Sequence, residues 1–187
     1  MNKRFLLLLV CTFFVVYAAS AQSSLYTVLQ GGGTFGFSNE GYKGAFNGYS
    51  LHFIMGKNFN QKAYLGLGVG NETFKGDYQT NDPHNADQRS YPFETNTFPI
   101  FIDGRLPFGV VGEQSSIGLL ANFGYAPSIA LRYHQGVMFK GGFFYVLDLG
   151  GAPKFTVSAT YAYQQLKKRA IDFQHQAFNV SVGILLN

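Results

Sequence analysis

Apolar residues fall on every second position through the last stretch of the chain, Phe178, Val180, Val182, Ile184 and Leu186, with Asn179, Ser181 and Gly183 between them. A period of two marks a strand with one greasy face. In a water-soluble sheet the second face carries Lys, Glu and similar groups. Here it is small and uncharged, so the greasy face is read as pointing outward to lipid, and the stretch as the closing strand of a membrane barrel.

The same alternation recurs upstream. A first strand is expected from Leu25 to Phe37, with Gly31, Gly32 and Gly33 where the wall bends or a bulky side chain crosses the interior. A second runs near Gly48 to Lys57 and sets Leu51, Phe53 and Met55 against Ser50, His52 and Ile54. The third sets Ala63, Leu65, Leu67 and Val69 against Tyr64, Gly66, Gly68 and Gly70. A fourth, from Thr95 to Leu106, sets Phe98, Ile100 and Ile102 against Pro99, Phe101, Asp103 and Arg105; its Pro99 argues against an ordinary central strand. The fifth has Ile117, Leu119, Ala121 and Phe123 on its lipid face, and the sixth spans Met138 to Leu149. The seventh separates its faces most cleanly, Phe155, Val157, Ala159, Tyr161 and Tyr163 against Thr156, Ser158, Thr160, Ala162 and Gln164. With the closing strand this makes eight.

Long connections, from Ser38, Lys75, Ala126 and Leu166, alternate with short ones from Asn58, Pro107 and Gly150. An up-and-down meander across a layer with two different sides has this rhythm. Charge collects in the connections. Inside the strands it is confined to Asp103, Arg105, Lys140 and Asp148, all opposite the apolar face. A soluble sandwich would not empty its strands in this way.

The N-terminus adds a compartment. Lys3 and Arg4 precede an apolar run from Phe5 to Ala18 and the small residues Ala19, Ser20 and Ala21, the layout of a secretory signal peptide cleaved after Ala21. Residues 1–21 are therefore expected to leave, and 22–187 to form one barrel domain. Losing Lys3 and Arg4 takes the formal charge from +4 to +2, so the basic balance is no footprint of nucleic acid. The lone cysteine, Cys11, departs with the signal, so disulfides cannot staple the product.

Candidate chemistry changes little. Gly66, Gly68 and Gly70 keep strict period two with no helix after them, unlike a nucleotide-binding finger. The acids and asparagines between Lys75 and Pro92 lack the central Gly and closing Glu of a calcium loop and read as solvated. The histidines lie on separate elements without ligand spacing, so no metal or other cofactor is expected. Asp103, Arg105 and Asp148 are expected to meet in the lumen, because an unpaired buried charge is costly, and with Tyr64, Phe101 and Phe144 to plug it. Lys140 is expected to sit apart from them.

The signal ending Ala19, Ser20, Ala21, the eight alternating segments and the strand Asn179 to Leu186 at the very end together resemble the small outer-membrane β-barrel proteins of Gram-negative bacteria, of the OmpX and OmpA transmembrane-domain type. The resemblance covers essentially all of the chain after the signal. It implies an all-β, eight-stranded antiparallel up-and-down transmembrane barrel in the cell outer membrane. Its implied partners are membrane lipid, lipopolysaccharide and the barrel-insertion machinery. This fold hosts adhesins, structural proteins, lipid-modifying enzymes and narrow pores. The leading expectation is a monomeric, non-enzymatic surface barrel whose long loops serve interaction or envelope structure, with Arg132, Lys167, Lys168 and Arg169 available to lipopolysaccharide phosphates. The alternatives are an acyltransferase or deacylase acting on lipid, or a narrow pore. Catalysis would need a Ser–His pair oriented by a carboxylate; Ser50 and His52 share a face, but that face is the lumen.

Overall fold

The computed structural model describes residues 25–80, 89–111, 115–150, 153–168 and 171–186; the expected signal peptide and Arg169 lie outside them. Ten strands follow in order: β1 Leu25–Asn39, β2 Tyr42–Lys43, β3 Phe46–Asn58, β4 Tyr64–Thr80, β5 Tyr91–Thr97, β6 Ile100–Val111, β7 Ser115–Ala126, β8 Gly136–Leu147, β9 Lys154–Lys168 and β10 Ile171–Leu186. Each long strand pairs antiparallel with the next, and β10 returns to pair with β1 from Thr27↔Leu186 to Asn39↔His175. The sheet closes into a hydrogen-bonded ring of 8 wall strands, in which β5 and β6 act as one and β2 is a short rung between β1 and β4. Closure removes the free edges that an open sheet of this length would expose.

The joint in β5–β6 has a local cause. Val69↔Ile100 and Glu72↔Thr97 lie three residues apart on both strands, so the register against β4 runs unbroken through Phe98 and Pro99. Pro99 has no N–H to give, and its carbonyl alone accepts from Gly70 N at 3.1 Å. The strand is nicked without being bent out of register.

The alternation sorts the side chains as read from the sequence. Leu51, Phe53, Met55, Leu65, Leu67, Ile102, Phe123, Phe143, Val157 and Val182 are exposed on the outer surface, while Ser50, His52, Ile54, Phe101, Asp103, Arg105, Asn122 and Ser181 are buried within. The glycines of β4 also gain a reason. A Cβ at Gly66, Gly68 or Gly70 would strike Tyr26, the Phe101 ring or His52, respectively. This stripe is the floor on which the large side chains of other strands lie.

Boundaries differ from the sequence reading at one end of the barrel, called here the upper end. β4 continues to Thr80 and β5 begins at Tyr91, so both ends of the expected Lys75–Pro92 loop are paired strand. Most of the expected long connection from Leu166 is strand: β9 runs to Lys168 and β10 starts at Ile171. Charge here does not end a strand; it marks where the outer faces of the strands change from apolar to polar.

Candidate functional site

The interior is built in three tiers. Lowest is an apolar cluster that includes Tyr26, Val28, Ile54, Tyr64, Phe101, Leu120, Phe144 and Leu185. Above and among these lies a hydrogen-bonded polar network. At the upper end Phe46, Phe74, Phe93, Leu166 and Phe173 form a second apolar cluster, with Tyr42 and Tyr78 packed against it.

The network begins on β6. Asp103 and Arg105, two residues apart, share the inward face, and Arg105 Nε donates to both carboxylate oxygens at 3.3 and 3.0 Å. Both side chains are fully buried. Tyr26 OH donates to Asp103 Oδ2 at 2.9 Å, and Asn122, with its amide turned to donate, reaches Oδ1 at 2.9 Å. The guanidinium crosses the lumen: Nη2 donates to Gln30 Oε1 on β1 at 3.0 Å, Nη1 to Thr156 Oγ1 on β9 at 3.5 Å, and its carbon lies 5.8 Å from the centre of the Phe144 ring. A buried ion pair persists only when its remaining donors and acceptors are met in this way.

A second charged group hangs from the same Gln30. Its amide approaches His52 Nδ1 at 3.5 Å, His52 Nε2 lies 2.8 Å from Glu72 Oε1, and Lys140 Nζ donates to that same oxygen at 2.6 Å. Gln30 can donate only to an acceptor, so Nδ1 is bare and Nε2–H donates to Glu72. The chain Tyr26–Asp103–Arg105–Gln30–His52–Glu72–Lys140 thus ties five wall strands together across the lumen.

Several sequence expectations change here. Asp148 does not complete the Asp103–Arg105 group. It is half-buried beyond the lower end of β8, pairing with Lys154 at 2.8 Å and accepting from Gly150 N at 2.9 Å, and so closes the β8–β9 hairpin. Lys140 is not apart but is the cation of the second group. Its partner Glu72 lies beyond the expected third strand, one step past the period of Gly66, Gly68 and Gly70. Ser50 is buried on the same face as His52, yet both His52 nitrogens face Gln30 and Glu72, so no Ser–His dyad forms. Among the described residues no cluster of His, Cys, Asp and Glu could hold a metal.

The upper cluster is aromatic. Phe46 stacks on Phe93 at 4.1 Å, and Phe173 meets Phe46, Phe93 and Tyr78 edge-on at 5.0, 4.9 and 4.9 Å. His175 lies against Phe46 and Phe74 and donates from Nδ1 to Asn39 Oδ1 at 3.0 Å; His134 lies against Phe93 and contacts Thr95 Oγ1. Outside this tier the faces are polar: Lys75 and Glu94 pair at 2.9 Å, and Lys167 lies 3.8 Å from Asp172. The hydrogen bond from Lys75 holds the Glu94 carboxyl below its ordinary range. Of the cations expected to meet phosphate, Arg132 is exposed in the segment 127–135 and Lys167 is exposed on β9; the side chain of Lys168 lies outside the described residues, as does Arg169.

No protein-family profile matches the chain, and no curated protein matches it in sequence. Among solved structures, the β domain of the Bordetella autotransporter BrkA is similar over 86% of this chain and 98% of that one, at 9% identity and a TM-score of 0.27. A likeness that low bears no weight, and the all-β antiparallel ring rests on the strand pairings themselves.

Proposed function

We propose that the protein is a non-enzymatic β-barrel of the outer membrane, its lumen filled by side chains and its raised upper end serving surface interaction or envelope structure. One observation carries this reading: the polarity of the wall inverts along single strands. On β10 the outward residues Phe178, Val182, Ile184 and Leu186 are exposed and apolar, and the inward ones include Asn179 and Ser181; above them the outward residues are Asp172, Gln174 and Gln176 and the inward ones Phe173, His175 and Ala177. β4 changes in the same sense, from Leu65, Leu67 and Val69 outside to Lys75 and Asp77 outside with Phe74 within. A lipid layer around the lower part and water around the upper part favour this inversion. Aromatic rims support it: Phe35, Tyr49, Tyr125, Phe139, Tyr161 and Phe178 are exposed at the top of the apolar belt, and Phe59, Phe108 and Phe155 near its bottom.

The cross-lumen network favours a closed barrel over a pore, and the commitment of His52 to Gln30 and Glu72 favours a structural over a catalytic role. On this reading the partners are outer-membrane lipid and lipopolysaccharide, the latter through Arg132 and Lys167, and the barrel-insertion machinery. Fractionation tests the core of it. The protein should extract from outer membranes only with detergent and shift in gel mobility between boiled and unboiled samples, and recovery from the aqueous periplasmic fraction would sink the proposal. Planar-bilayer recording tests the filled lumen: silence is expected, and large steady conductance overturns it.

A further inference from the structure

The upper wall has one low sector. β7 ends at Ala126 and β8 begins at Gly136, whereas β4 climbs to Thr80 and β9 to Lys168. The segment 127–135 fills the gap as wall. Its backbone pairs with β5, Asn96 N donating to Arg132 O at 3.1 Å and His134 N to Asn96 O at 2.9 Å, and Gln135 exchanges two hydrogen bonds with Lys167 of β9. His134 turns inward against Phe93. The exposed surface of this sector breaks the rule of the raised end: where the neighbouring strands expose Lys, Asp, Glu and Gln, it exposes Ile129, 55% exposed, and Leu131, 83% exposed, followed by exposed Arg132.

We infer that this segment is an interfacial anchor, with Ile129 and Leu131 inserted into the lipid leaflet beside the barrel and Arg132 reaching its phosphates. The inference rests on the membrane reading above. Continuity with the belt identifies lipid as the occupant: Tyr125 and Val137, Cα partners on β7 and β8, are exposed belt residues directly beneath the segment. The segment starts and ends at the rim of this belt, one residue after Tyr125–Ala126 and one before Gly136–Val137. Two aliphatic side chains beside a cation with a long apolar stem suit the zone where acyl chains meet headgroups. Anchored on one side only, the barrel would sit at a fixed depth and lean toward this sector.

Nitroxide labels on single cysteines in a Cys11→Ser background test this, in vesicles of phosphatidylcholine and phosphatidylglycerol. Leu131→Cys, Phe123→Cys on the belt and Asp77→Cys on the polar upper face are compared for collision with oxygen, which concentrates in lipid, and with a water-soluble nickel chelate. The label at 123 is expected to be deep, that at 77 aqueous, and that at 131 several-fold more accessible to oxygen than to nickel and shallower than 123. An aqueous 131 with a deep 123 overturns the anchor and leaves the membrane reading standing. An aqueous 123 removes both.

Discussion

Glu72 and Lys75 stand three residues apart on β4, one in the lumen beside the belt and one on the outer face of the raised end. Both are ion-paired, Glu72 to Lys140 at 2.6 Å and Lys75 to Glu94 at 2.9 Å. The first pair has side chains 3% and 7% exposed, the second 57% and 68%. What differs is the surrounding medium. A buried charge must be met by protein, whereas an exposed one is already met by water, so similar distances carry different energies. The same contrast holds for apolar groups. On the proposed membrane reading, exposed Val182 suits lipid, and Phe173 is buried because its level of the barrel stands in water.

Perturbing each member of the comparison should give a graded series. The largest effect belongs to Glu72→Ala, which leaves Lys140 buried without its carboxylate. Urea unfolding from lipid vesicles should show a loss of about 3–5 kcal/mol, largely recovered in the double variant Glu72→Gln, Lys140→Met; a single variant as stable as the parent would break the distinction between the two pairs. Next comes Val182→Arg, which puts a charge on the belt face of β10 and should cost about 2–4 kcal/mol if that position lies at the bilayer midplane. Gln174→Arg, on the same face of the same strand but above the belt, should be close to neutral, and equal damage at both positions would argue that the polarity inversion does not mark the membrane edge. Ser181 is not a useful control for this pair, since its Oγ lies 2.6 Å from Ser158 Oγ and its Cβ packs over Gly32.

A smaller effect is expected from Phe173→Leu, which keeps an apolar group at the centre of the upper cluster but loses its edge-to-face contacts, worth about 0.5–1.5 kcal/mol. Amide exchange should quicken in the upper parts of β4, β5 and β10 while the belt stays protected; uniform quickening would mean that the two regions unfold as one. The smallest belongs to Lys75→Gln, for which no change in urea midpoint is expected beyond a weaker dependence on salt.

Much of this is legible in the chain itself. Period two assigned the faces of β3, β4, β7, β9 and β10 because each side chain of a strand has only two directions available, and Pro99 announced the nick in β5–β6 by chemistry it cannot avoid. Asp103 and Arg105 could be paired in advance since they sit two apart on one face. The pattern misleads where outward positions turn polar: Lys75, Lys167 and Asp172 look like loop, yet β4, β9 and β10 run through them, and Glu72 lies one step beyond the glycine stripe that ends at Gly70.

The strand faces, their meander order and the apolar belt are written in residues close together in the chain. Which inward groups meet is a matter of how the ring closes. Lys140 lies 68 residues from Glu72, Gln30 lies 75 from Arg105, and Tyr26 lies 77 from Asp103. Those meetings depend on the stagger with which eight tilted strands close into a ring, since a shift of register would carry each side chain to a different height in the lumen. Asp148 shows the same dependence in reverse: its parity matched the lumen face, but its height placed it at the lower rim beside Lys154.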